Sequence, residues 1–178
     1  ALAGRPDLMA GRTSLTLAEG MTGMAENVFL NIKNKSTTIT AEIEVPAGGG
    51  EGVILAQGGR FGGWSLYLKD GKPTYAYNYL GMQRSSVTAQ DPLPAGKASV
   101  RLEFAYDGGG MGKGGVGTLY VNDQQVGSGR IERTQAMIFS ADETADVGID
   151  GATPVVEDYR TPRGQFSGTI GKVTVSVH

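Results

Sequence analysis

The sequence predicts an all-β fold, a two-layer antiparallel sandwich, from three observations. Apolar and polar residues alternate with period two almost everywhere, the mark of strands with one buried face. There are 29 glycines, where average usage of about 7 % would give roughly 12, and they cluster as pairs and triplets between apolar runs. Glycine at that density suits tight turns and weakens helices. No apolar pattern of helical period runs for 10 residues, and strand-like runs recur about every 8 to 15 residues, which favours a sandwich over βαβ units.

The runs follow one another in order. Residues 36–45 alternate most cleanly, with Ile39, Ala41, Ile43 and Val45 on one face and Thr38, Thr40, Glu42 and Glu44 on the other. Pro46 and the glycines at 48–50 end that strand. Residues 52–57 and 64–69 are short apolar strands. The second leads through Asp70-Gly71 into 74–80, a hairpin signal because that pair tolerates the positive φ of a type I′ turn. Val87 sits in a short strand, and 91–96 is a turn holding Pro92 and Pro94. Residues 97–106 alternate again. Residues 115–121 and 125–131 form a second hairpin around Asn122-Asp123, and 166–177 is the last strand. Residues 13–178 are read as one domain, and 1–12, with Gly4, Pro6 and Gly11, as a linker leading in from something upstream.

Charge excludes some partners. The net charge is -2, with 16 basic and 18 acidic residues intermixed, so the basic stripe that neutralises nucleic-acid phosphates is missing. No apolar stretch of about 18 residues offers a transmembrane helix, and residues 1–12 lack a signal-peptide pattern. Neither nucleic acid nor membrane is expected as a partner. With no cysteine, disulfides, thiolate nucleophiles and thiolate metal sites are absent, while the compartment stays open.

Several stretches together resemble the C-terminal domain of large bacterial arylsulfatases of the type I sulfatase family. They are residues 52–73 (GVILAQGGRFGGWSLYLKDGKP) with Tyr77-Asn78, 104–115 (FAYDGGGMGKGG), 119–126 (LYVNDQQV) and 146–155 (DVGIDGATPV). The resemblance implies a jelly roll of the concanavalin A-like and laminin G-like kind, a fold used for carbohydrate binding in some relatives and for packing in others. It also implies a sulfatase catalytic domain as partner in cis, and an accessory role beside it. An independent carbohydrate-binding module for sulfated or neutral glycans is the alternative.

The chain itself is expected to be non-catalytic. Type I sulfatases make formylglycine from a Cys/Ser-x-Pro-x-Arg motif, and here there is no cysteine and no serine followed two residues later by proline. The one histidine is His178 at the chain end. Glu42-Ile-Glu44 approaches the Glu-x-Asp-x-Glu strand of glucanases but lacks the third carboxylate, and reads as a solvated strand face. The run from Gly110 to Gly115 satisfies GxGxxG, yet a strand rather than a helix follows it, so it reads as a hairpin loop.

Two groups remain as candidate sites. Asp142, Glu143, Asp146, Asp150, Glu157 and Asp158 supply the oxygen ligands calcium prefers, with Asp146 and Asp150 as the candidate ligands. Their spacing matches no EF-hand, and the expected cofactor set is none. Arg60, Phe61, Trp64, Tyr77 and Arg84, with Tyr75 and Tyr79, combine aromatic faces for sugar or aryl rings with guanidinium groups for sulfate or carboxylate. The same stripe of Tyr75, Tyr77 and Tyr79 more often belongs to a sandwich core or a cross-strand ladder. Within the glycine-framed loop 58–63, Arg60 and Phe61 are the large side chains, which centres the expected surface there and on Arg84.

Overall fold

A computed structural model describes residues 9–136, 144–151, 153–157, 159 and 161–178. The chain-order strands are β1 (Ser14–Leu17), β2 (Thr37–Val45), β3 (Gly52–Gly59), β4 (Gly62–Lys69), β5 (Lys72–Tyr79), β6 (Gln83–Thr88), β7 (Gly96–Tyr106), β8 (Gly115–Val121), β9 (Gln124–Ile131), β10 (Ala145–Val147) and β11 (Thr169–Val177). They make a six-stranded sheet, β1-β11-β2-β7-β8-β9, packed on a five-stranded sheet, β10-β3-β4-β5-β6, with every pairing antiparallel. The helical content among the described residues is two single 3₁₀ turns, Glu26–Val28 and Pro162–Gly164.

Alternation puts the expected residues inside. Ile39, Ala41, Ile43 and Val45 of β2 and Val100, Leu102 and Phe104 of β7 join the core formed with Leu55, Trp64, Leu66, Leu68, Tyr75, Tyr77 and Val87 of the facing sheet. Each large side chain so buried contributes about 1.5–3 kcal/mol. Trp64 lies between Phe29 and Tyr75, with ring centroids 6.3 and 6.2 Å away, and its Nε1 donates to Gln57 Oε1 at 3.1 Å. The indole's one polar atom is thereby satisfied inside the core.

Both hairpin signals are realised. Asp70 and Gly71 take φ of 51° and 77°, and Asn122 and Asp123 take 49° and 68°, the left-handed pairs of type I′ turns. The expected loop at 58–63 is instead almost all strand. β3 and β4 stay paired as far as Gly59 and Gly62, leaving Arg60 and Phe61 alone as the turn. Glycine makes this possible: a Cβ on Gly58, at φ +90°, would lie 2.2 Å from the Gly62 carbonyl oxygen.

Two strands were not anticipated. β1 has four residues and falls just after the expected linker, and β10 has three. Such lengths are too short to display a period. Of the expected linker, residues 1–8 lie outside the described residues, while Met9 packs against the core and accepts a backbone bond from Arg12 at 3.0 Å. The last strand starts at Thr169 rather than 166, because the chain first makes the 3₁₀ turn and buries Phe166.

The five-stranded sheet departs from simple alternation. β3 is buried at every position and β4 and β5 nearly so. Its outer face is covered by the segment after β10, where Val155, Val156 and Tyr159 pack on Val53, Ala56, Tyr67 and Ala76 as a second small core. Tyr159 meets Tyr67 edge-on, with centroids 5.3 Å apart. A sheet covered on both faces reads as a continuous apolar run, which residues 52–57 show.

Burial holds the phenols of Tyr75, Tyr77 and Tyr159 well above the usual tyrosine range, with the neighbouring Asp150 carboxylate adding to the effect at Tyr159. A phenol whose folded pKa is raised keeps its stabilising contribution below the unfolded value of about 10 and loses it as pH rises further. Alkaline titration should therefore show tyrosinate absorbance in two phases among the seven tyrosines. The phenols of Tyr75, Tyr77 and Tyr159 should ionise only together with loss of near-ultraviolet circular dichroism. A single non-cooperative phase with the fold retained would contradict this burial.

Candidate functional site

The hairpin β3-β4 and the hairpin β5-β6 end side by side. A Cβ on Gly81, in the second turn, would stand 3.2 Å from the Arg60 carbonyl oxygen and 3.7 Å from Phe61 Cδ1, so the two tips touch. Phe61 is 69 % exposed, Met82 74 % and Leu80 40 %. Arg60 and Arg84 are also exposed, and Arg84 pairs across the strands with Asn78. Arg133 lies over the ring of half-buried Tyr79, its guanidinium carbon 5.0 Å from the centroid. Arg60, Arg84 and Arg133 make no ion pair among the described residues.

The tips are held rigidly from below. Asn78 is fully buried, and its Nδ2 donates to the carbonyls of Gly59 at 3.3 Å, Arg60 at 2.8 Å and Val155 at 3.0 Å. Its Oδ1 accepts from the Gly81 N–H at 2.8 Å. One side chain thus joins both turns to the covering segment. The Arg60 N–H adds a bond to Thr153 Oγ1 at 3.0 Å. Met82 N–H donates to the Tyr79 carbonyl at 2.9 Å, closing the second turn.

The aromatic candidates separate. Arg60 and Phe61 form one hairpin tip, and Arg84 is exposed on β6 three residues beyond Gly81 of the tip they touch. Trp64, at 0 % exposure, and Tyr77, whose hydroxyl accepts from the Gln135 N–H at 2.8 Å, are core residues. Their inclusion among ligand contacts is corrected, because the strand face they share points at the opposite sheet. Leu80 and Met82 were missed. A two-residue turn at 60–61 would have signalled that the neighbouring turn is also a tip, but its shortness depends on the Gly58 approach.

Asp146 and Asp150 serve the covering segment. Asp146 Oδ1 accepts from the Gly23 N–H at 2.7 Å and Oδ2 from the Gly151 N–H at 2.9 Å. Asp150 Oδ2 accepts from the Val155 N–H at 2.7 Å and from the Tyr159 hydroxyl, whose oxygen in turn accepts from the Ser65 hydroxyl at 2.9 Å. Backbone donors satisfy buried carboxylates well. Asp142, Glu143 and Asp158 lie outside the described residues, and Glu157 is exposed. Among the described residues no three acidic or histidine side chains converge.

The glycine run forms the β7-β8 connection. Asn34 Oδ1 accepts from the Gly112 N–H at 2.8 Å, and the Tyr106 hydroxyl accepts from the Lys113 N–H at 2.9 Å. Strand follows strand here, so no helix terminus is present to receive a phosphate, as the sequence context indicates.

Neither a family model nor a curated protein matches the chain. Among solved structures, it is similar to the CBM40 domain of the Ruminococcus gnavus IT-sialidase bound to α2,6 sialyllactose. That match has a TM-score of 0.58 and 14 % identity, over 93 % of this chain and 90 % of that one. It is also similar to the LG1–3 region of the laminin α2 chain, at a TM-score of 0.52 and 12 % identity, over 94 % of this chain and 30 % of that one. At such identity the likeness establishes the fold, a laminin G-like and concanavalin A-like jelly roll.

Replacing Asn78 by alanine should remove the joint between tips and cover. The three carbonyls and the Gly81 N–H would lose their partner in a dry site, at a cost of about 2–4 kcal/mol. The expected fall in melting temperature is roughly 5–15 °C. Amide exchange should accelerate at Gly81 and in the cover around Val155 more than in β7 and β8. A shift below about 2 °C would show that this joint is not what holds the tips.

Proposed function

We propose that this chain is a non-catalytic accessory module of an arylsulfatase-like hydrolase, seated in cis against the catalytic domain near its substrate entrance. The hairpin end is its docking face. The observation that carries the reading is the exposure of Phe61, Leu80 and Met82 on two touching turns whose backbones are fixed from beneath by Asn78. Contiguous apolar exposure on a rigid platform marks interaction surfaces. The sulfatase context is supported by the resemblance carried in residues 52–73, 104–115, 119–126 and 146–155. A non-enzymatic role is supported by the missing formylglycine motif and by a fold neighbour, the CBM40 domain, whose structure holds sialyllactose.

A glycan-binding role is the second reading. It is favoured by exposed Arg60 and Arg84 beside one open aromatic face, and by a CBM40 neighbour with sialyllactose bound. A paired measurement separates the two. Arg60→Ala in the complete gene product should loosen the domain contact by about 1–3 kcal/mol if the arginine is buried there. The same change in the 178-residue chain should leave its melting temperature nearly unchanged. Sialyllactose and sulfated oligosaccharide titrated into the 178-residue chain should give no saturable signal. Binding that Arg60→Ala weakens would select the glycan reading instead, and no response in either arm would remove Arg60 from both.

The same reading assigns Asp146 and Asp150 a structural role with no tightly held calcium. Melting temperatures in calcium and in chelator should agree. Calcium at 100 times its dissociation constant would add about 2.7 kcal/mol, so a rise of several degrees would overturn the assignment.

A further inference from the structure

The composition of the hairpin end identifies the chemistry of what it meets. We propose that its partner is a protein surface offering an apolar socket to Phe61 and Met82, bordered by carboxylates that receive Arg60 and Arg84. This rests on the docking role proposed above and specifies the surface that role requires. Protein interface cores are enriched in aromatic residues, Met and Arg, and depleted in Lys, Asp and Glu. The two turns fit that pattern: between residues 58 and 63 and between 79 and 84, the charged residues are Arg60 and Arg84, and the large apolar ones are Phe61, Leu80 and Met82.

Competing occupants fit less well. Anionic membranes are read by clusters of about 4–8 Lys or Arg. Here two arginines flank the tips and Arg133 is stacked on Tyr79. Sugars are commonly held by aromatic platforms, whereas Trp64, Tyr75 and Tyr77 are buried and Phe61 is the exposed aromatic side chain among the described residues. Electrostatics supports an acidic border. The chain carries a net charge of -2, yet the tips themselves are purely cationic, and their arginines have no carboxylate partner among the described residues. Burying them against a neutral surface would leave two guanidinium groups uncompensated, which is costly. The rigid turns lower the ordering cost of docking, because Asn78 has already fixed both backbones.

The test places a photoreactive benzoylphenylalanine at position 61, and separately at 82, in the complete gene product, and maps the cross-linked peptide by mass spectrometry. The expected cross-link is intramolecular, to a segment combining apolar residues with Asp or Glu. Arg60→Glu with Arg84→Glu should lower its yield by about tenfold or more, and reversing the charge of the mapped carboxylates should restore it. An intramolecular cross-link to a segment without carboxylates, or one indifferent to the arginine reversals, would overturn this chemistry while leaving the docking role standing. Absence of any intramolecular cross-link at either position would remove the docking role as well. The 178-residue chain is mixed in parallel with vesicles of phosphatidylserine and phosphatidylcholine. Sedimentation that Phe61→Ser abolishes would assign the tips to a lipid surface and reject the proposal.

Discussion

Covering the five-stranded sheet on both faces is the constraint from which the rest of the site follows. Its inner face packs on the six-stranded sheet, and its outer face carries Val53, Ala56, Tyr67 and Ala76. That outer apolar area must be removed from water, and irregular chain, not another sheet, does so. An irregular cover brings backbone N–H and C=O groups into a dry place with no ladder to pair them. Asp146, Asp150 and Asn78 supply the missing partners, with Tyr159 and Ser65 completing the set. Of the acidic residues that look from sequence like a cation loop, Asp146 and Asp150 are acceptors for a backbone that covers a sheet.

The sequence made legible whatever depends on neighbours close along the chain. Alternation in β2 and β7 put Ile39, Ile43, Val100 and Leu102 on the buried face, and Asp70-Gly71 and Asn122-Asp123 specified their turns. It did not show which of two faces is solvent where both are covered. The apolar run of β3 gives no phase to read, and the tyrosines of β5 have a phase but no stated direction. Phase alone therefore leaves Trp64 and Tyr77 open between core and surface, and the opposite sheet buries them. Period two groups residues by face, and only the opposite sheet decides what the face meets.

The hairpin end shows the same limit from the other side. Arg60, Phe61 and Arg84 were visible because glycines isolate the first two and a short strand exposes the third. Leu80 and Met82 become part of the surface only through contact between two turns about twenty residues apart, a tertiary event. Asn78 lies within the stretch that carries the family resemblance, yet its role depends on Val155 reaching it from 77 residues away.

These long-range joints also account for where exposed apolar groups are left. The outer face of the six-stranded sheet is polar along β2, where Thr38, Thr40, Glu42 and Glu44 point outward, and along β7, where Arg101 bonds Asp123 and lies over Tyr120. The outer face of the other sheet is occupied by the chain's own cover. At one edge β6 and β9 close together, with the Gln90 N–H on the Val126 carbonyl. At the other, Met24 pairs with Ala145 and shields β10. The touching hairpin tips show three of the exposed apolar side chains together on a fixed backbone, while Met111, at 60 % exposure, and Met21, at 40 %, are exposed elsewhere. Phe61, Leu80 and Met82 contribute nothing to the core clusters. Their size is therefore not accounted for by the core clusters, and the docking proposed for the tips would supply a physical reason for it.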